Sequence, residues 1–150
     1  MEKSAKRELT FKALYSGQIN KEMNDEELRI FLEANNLKDR DKDEIVKDIN
    51  EINDKKEEIL NKISKNLKDN WSIERISKID KALLMLAIYE IQYKEIPFKV
   101  VINEVVELAK KYGEDTSASF INGVLAKIVE ENNSNGKEVA VEDNTESNEQ

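Results

Sequence analysis

Between Ile79 and Tyr93 the chain offers almost no polar face. Ile79, Ala82, Leu83, Leu84, Met85, Leu86, Ala87, Ile88 and Ile91 surround a helix on nearly every side. A helix that is apolar all round must be covered by other elements, so this segment predicts a buried central helix. Ser77 stands before it in an S-x-x-D pattern with Asp80, a capping signature. Lys94-Glu95-Ile96 reads as the loop after it. Pro97 suits the first turn of the next helix, where its missing N–H costs nothing.

The covering elements are legible as helical stripes. Leu9, Ala13 and Leu14 share a face near Ser4 to Gln18, with Phe11 and Tyr15 beside it. Asn24 and Glu27 form a candidate capping box before Leu28, Phe31 and Leu32, and Asn35-Asn36 ends that helix. Ile45, Ile49, Ile52, Ile59, Leu60, Ile63 and Leu67 continue the pattern from Asp39, with a slip near Asn53-Asp54 that predicts a break into two helices. After Pro97 come Val101, Ile102, Val105, Val106, Leu108, Ala109 and Tyr112, with Gly113 as the stop. Asp115 or Thr116 is placed to cap a last helix whose Ile121, Val124, Leu125 and Ile128 point inward. No stretch alternates like a strand. The expectation is an all-α domain over residues 1–131.

From residue 132 the composition shifts to NNSNGKEVAVEDNTESNEQ, which cannot bury enough apolar surface to offset its ordering entropy. Residues 132–150 are expected to be an acidic disordered tail. Glu130 to Gln150 holds seven acids and one lysine, −6 of the overall −8. The first 21 residues carry five bases and two acids, or +3. A basic N-terminus can therefore meet a polyanion although the whole chain is acidic.

Catalytic options are few. The chain has no Cys and no His, which removes disulfides, thiolate nucleophiles, Cys-ligated zinc and the usual general base. Its four glycines form no phosphate-binding loop. The many carboxylates read as helix-surface pairing, and none has the spacing of a calcium loop. No metal, no cofactor and no enzymatic activity are expected. The start, MEKSAKRELTF, lacks a secretory apolar stretch, and no run is long enough to span a membrane. The expectation is a soluble, cytoplasmic protein.

Two polar features stand out in the apolar half. Asn103, flanked by apolar residues, predicts a structural hydrogen bond to a neighbouring helix end. Gly123 in Phe120-Ile121-Asn122-Gly123 weakens a helix by roughly 1 kcal/mol relative to Ala and calls for a closely approaching helix or a ligand. Phe120 is either core or an exposed aromatic on which a base stacks, and the residues themselves leave both open.

KRELTFKALYSGQ (6–18), IDKALLMLAIYEI (79–91), IPFKVVINEVVELAKKYG (96–113) and SFINGVLAKI (119–128) together resemble the NusB transcription antitermination family over about residues 5–130. The resemblance implies about seven helices in two packed three-helix bundles. It also implies an adapter that pairs with the ribosomal protein NusE, binds boxA-type single-stranded RNA, and joins RNA polymerase with other Nus factors on ribosomal RNA operons. By the resemblance, the family's N-terminal basic stretch corresponds to Lys3, Lys6 and Arg7, a version with a single Arg. Phe120 corresponds to an aromatic on the RNA side, with Asn122 in the same motif. Tyr15, Glu74 and Asp80 correspond to NusE-facing positions.

Two other readings remain open at the level of sequence. One is a helical scaffold or homodimer without RNA binding. The other is a NusB-like domain cut from a ribosomal RNA methyltransferase, which needs a cofactor-binding α/β domain that this chain does not contain.

Overall fold

The computed structural model describes residues 1–134. The described residues form seven α-helices and one 3-10 turn, with no strand among them. The chain divides into two units, Met1–Glu57 and Glu58–Gln150.

The first unit holds α1 (Lys3–Ile19), α2 (Asp25–Glu33) and α3 (Asp39–Asp54), each in contact with the other two. The capping box that opens α2 is present. Asn24 Oδ1 accepts from the Glu27 N–H at 2.8 Å, and the Glu27 carboxylate accepts from the Asn24 N–H at 3.0 Å. The two bonds satisfy two N–H groups that a bare helix start leaves orphaned. Beyond α2, Asn36 takes φ 55°, a left-handed conformation that Asn tolerates better than most residues. The core of this unit is Leu9, Phe11, Leu14, Leu28, Leu32, Ile45, Ile49 and Ile52. The expected break falls at Lys55, between α3 and α4 (Lys56–Lys65).

The second unit is built on α5 (Lys78–Gln92), α6 (Phe98–Tyr112) and α7 (Ser117–Ser134), again in mutual contact. Eleven of the 15 residues of α5 are buried, as its apolar circumference demands. Its start is capped by Ser77, whose Oγ accepts from the Asp80 N–H at 3.1 Å. The 3-10 turn (Ile73–Arg75) leads into it. Pro97 sits at the position before α6 rather than within its first turn.

Ile59 and Ile63 of α4 are buried. Lys62 of α4 donates to Asn132 Oδ1 at 3.0 Å and lies 3.6 Å from Glu131, tying that helix to the end of α7. The helix thus runs past the expected boundary at 132, and Asn132 is buried. The rest of the expected tail, residues 135–150, lies outside the described residues.

One local expectation changes. Asn103 is exposed, because the buried stripe of α6 is Val101, Val105, Leu108 and Ala109 and position 103 falls on the opposite side. Gly113 ends α6 as expected, in extended backbone (φ −94°, ψ −168°). Space is what favours glycine there. A Cβ at 113 would lie 2.6 Å from Ser117 Oγ and 2.8 Å from the Ala109 carbonyl oxygen.

Among the described residues, no helix is long and apolar enough to cross a membrane, and no group of three or more acidic side chains is placed to hold a metal ion.

Candidate functional site

In the second unit, the segment after α4 and one face of α7 enclose a groove of about 220 Å³. Its walls include Asn66, Leu67, Lys68 and Trp71 on one side and Ser119, Phe120, Gly123, Val124 and Lys127 on the other. The α7 residues recur at helical spacing, which is why they share one face. The segment opposite is held by its own hydrogen bonds. The Trp71 N–H donates to the Lys68 carbonyl at 2.8 Å, Arg75 Nη1 to the Asn70 carbonyl at 3.0 Å, and Asn66 Nδ2 to the Lys62 carbonyl at 2.9 Å.

Phe120 is half-buried. Its ring lies against Trp71, with centroids 5.7 Å apart and planes inclined by 36°. Trp71 itself is 47% exposed. A Cβ at Gly123 would meet nothing within 4 Å, so no neighbouring helix requires that glycine, and it lies open in the groove wall. Asn122 is exposed and is not part of the groove lining.

The basic residues of α1 are placed unequally. Lys3 is exposed. Lys6 is half-buried, bonded to the Glu44 carboxylate and 3.7 Å from Asp41. The hydrogen bond and charge of Lys6 hold the Glu44 carboxyl below its ordinary value. The amino group of Met1 also lies 3.7 Å from Asp41. Arg7 is only 7% exposed and so does not belong to an open basic stretch. The inward face of α1 runs through Arg7, Thr10, Phe11 and Leu14, wider than the Leu9–Ala13–Leu14 stripe read from the sequence.

Tyr15 is half-buried and stacks on Phe11, with centroids 6.2 Å apart. Glu74 is exposed on the 3-10 turn. Asp80, by contrast, is buried. Desolvation raises its pKa, against the hydrogen bonds of Ser117 and Ser77, and the charge of Glu114 adds to the rise. Its Oδ1 is buried with no hydrogen-bond partner among the described residues. Ser117 Oγ also accepts from the Glu114 N–H at 3.0 Å, so Asp80 sits in the corner that joins α6 to α7.

The description "NusB family" fits residues 4–130. The chain belongs to the NusB family. The transcription antitermination protein NusB of Acetivibrio thermocellus is 42% identical over 130 residues, covering 86% of this chain and 89% of that protein. The fold is similar to that of T. maritima NusB, with a TM-score of 0.78 at 32% identity, over 87% of this chain and 92% of the other. It is also similar to a chain in the crystal structure of the antitermination factors NusB and NusE in complex with dsRNA. There the TM-score is 0.76 at 27% identity, over 87% of this chain and 99% of that one.

Reading this NusB-family chain by sequence missed Trp71, Lys68 and Lys127. The signal for Trp71 was available: it is the sole tryptophan, and it stands in the otherwise polar stretch Lys68-Asp-Asn-Trp-Ser72. The two lysines carry no local signal, since only the fold brings positions 68 and 127 to one groove.

Proposed function

We propose that this chain is a non-enzymatic, cytoplasmic transcription antitermination factor that binds boxA-type single-stranded RNA together with NusE. Through that complex it joins other Nus factors and RNA polymerase. The observation that carries the RNA reading is the half-exposed Phe120 ring on α7. Aromatic faces at a protein surface serve unpaired bases, because the bases of a duplex are already stacked on one another. Lys3 and Lys6 contribute phosphate attraction, as point charges rather than planar forks. Arg7 supports α1 from its buried side. Asn122 offers an exposed amide beside the aromatic. For NusE, Glu74 of the second unit is the exposed acid that a basic ribosomal protein would meet, and Asp80 acts from inside by holding the α6–α7 corner; Tyr15 of the first unit contributes separately, through its half-buried ring.

The test is a fluorescence-anisotropy titration of labelled boxA-type RNA, scrambled RNA and a duplex of the same sequence, each with and without NusE. Preference for the single-stranded boxA-type RNA, strengthened by NusE, is the expected result. Equal binding of all three RNAs in both conditions rejects the reading. The scaffold reading draws on one observation, the engagement of Lys6 by Glu44 and Asp41. It is supported if no RNA binds even with NusE present.

A further inference from the structure

We propose that the groove between the α4–α5 segment and α7 is a single-nucleotide pocket, in which one unpaired RNA base lies on the open face of Trp71. Lys68 and Lys127 take the phosphates on either side of it. The proposal rests on the RNA reading above and deepens it by assigning residues that neither the family resemblance nor the sequence analysis singled out.

Three observations converge. Trp71 and Phe120 already touch, so a base does not insert between them; it extends their stack over the 47% of Trp71 left exposed. Stacking of this kind accepts any base, because every base has a π-face.

The second is charge. Lys6, Lys42, Lys56, Lys62 and Lys110 each have a carboxylate within 4.0 Å. Lys68 and Lys127, like several other lysines such as Lys3, Lys21 and Lys99, have no such partner among the described residues, and these two are set apart by lining the groove. Two uncompensated cations flanking an aromatic surface suit a polyanion with flat bases better than an acidic or apolar peptide.

The third is preorganisation and room. The bonds from Trp71 to Lys68 and from Arg75 to Asn70 fix the Trp71 segment before anything binds, which lowers the ordering cost of binding. Gly123 leaves the wall beside Phe120 open. Ser119 supplies a hydroxyl, and Asn66 keeps its amide oxygen for a base edge while its nitrogen serves the Lys62 carbonyl.

Because Trp71 is the only tryptophan, its emission reports on this groove alone. The full chain is titrated with an end-labelled single-stranded RNA. Label anisotropy and Trp71 emission are read from the same samples, first without NusE and then with it, using Trp71→Phe as the background protein. Emission is expected to quench in step with the anisotropy. Trp71→Ala should weaken binding roughly ten-fold or more, and Trp71→Phe should retain most of it. Lys68→Gln with Lys127→Gln should lower the salt slope by about 1.4, roughly 0.7 for each phosphate contact. Gly123→Leu starts from a Cβ that meets nothing within 4 Å and extends into the groove, so it should weaken RNA binding while leaving the circular-dichroism melt intact.

Anisotropy that rises while emission stays constant, with Trp71→Ala binding as tightly as the parent, overturns the pocket and leaves the RNA reading standing. Emission that answers to NusE alone makes the groove a protein-docking surface and also overturns the pocket. Absence of RNA binding with and without NusE rejects both readings.

Discussion

The Lys6 ammonium is bonded to the Glu44 carboxylate, 38 residues further along the chain, where α3 faces α1. An RNA phosphate that recruits Lys6 must compete with that carboxylate. Glu44→Gln should therefore strengthen RNA binding and steepen its salt dependence by about 0.7 for the one released cation. Anisotropy titrations across a salt series check this. An unchanged slope would mean that Lys6 never reaches the RNA.

Gly113 and Gly123 should respond in opposite ways to alanine. Gly113→Ala forces a Cβ against Ser117 Oγ and the Ala109 carbonyl, and such overpacking typically costs about 1–3 kcal/mol. Gly123→Ala meets nothing and removes a helix-interior glycine, a gain of roughly 0.5–1 kcal/mol. Urea denaturation of both variants gives the two signs directly.

Asp80 makes the fold pH-sensitive. Its pKa is raised in the folded chain, chiefly by desolvation. Its stabilising contribution is therefore full below the ordinary aspartate value and is lost as pH rises through the raised one. Asp80→Asn removes the desolvated charge. It should raise the melting temperature at neutral pH and remove part of the gain that the parent shows on mild acidification. Melting curves between about pH 4 and pH 8 compare the two.

Tyr93 should ionise well above the ordinary tyrosine value. Its pKa is pushed up to about 12, first by burial and then by the Glu58 carboxylate, which accepts a hydrogen bond from its hydroxyl. An ultraviolet difference titration against Tyr93→Phe should find this one phenol still neutral at about pH 11. In Glu58→Gln that phenol should ionise earlier. The stability this neutral phenol contributes is full below the free tyrosine value and is lost as pH rises towards 12.

Glu95, after α5, holds φ 53° while the next residue's N–H bonds back to the Glu90 carbonyl at 3.0 Å. A side chain there is strained by about 1 kcal/mol. Glu95→Gly should recover that amount in a denaturation curve.

The fold was readable wherever the signal was local. The Asn24–Glu27 box, the break after Asp54 and the buried length of α5 each follow from residues within a turn or two of one another. Misreadings came where the tertiary partner decides. Arg7 belongs to the buried face of α1 although it is charged, and Asn103 belongs to the solvent side of α6 although its neighbours are apolar. The stop at Gly113 was correctly placed, but its cause is a serine four residues later on another helix. At the candidate site, Phe120 was visible as an aromatic in a short motif. Its companion Trp71 and the flanking lysines needed the fold to bring positions 68–71 and 120–127 together.

Lys62, anchored at once to Glu131 and Asn132, fixes where this chain tolerates shortening. A shift in composition at residue 132 invites trimming there, yet trimming at that point removes the Asn132 acceptor and leaves Lys62 of α4 only the Glu131 carboxylate. The shortest self-sufficient form of the protein should keep Asn132 and the turn around it. Shorter versions should melt at a lower temperature than the full chain.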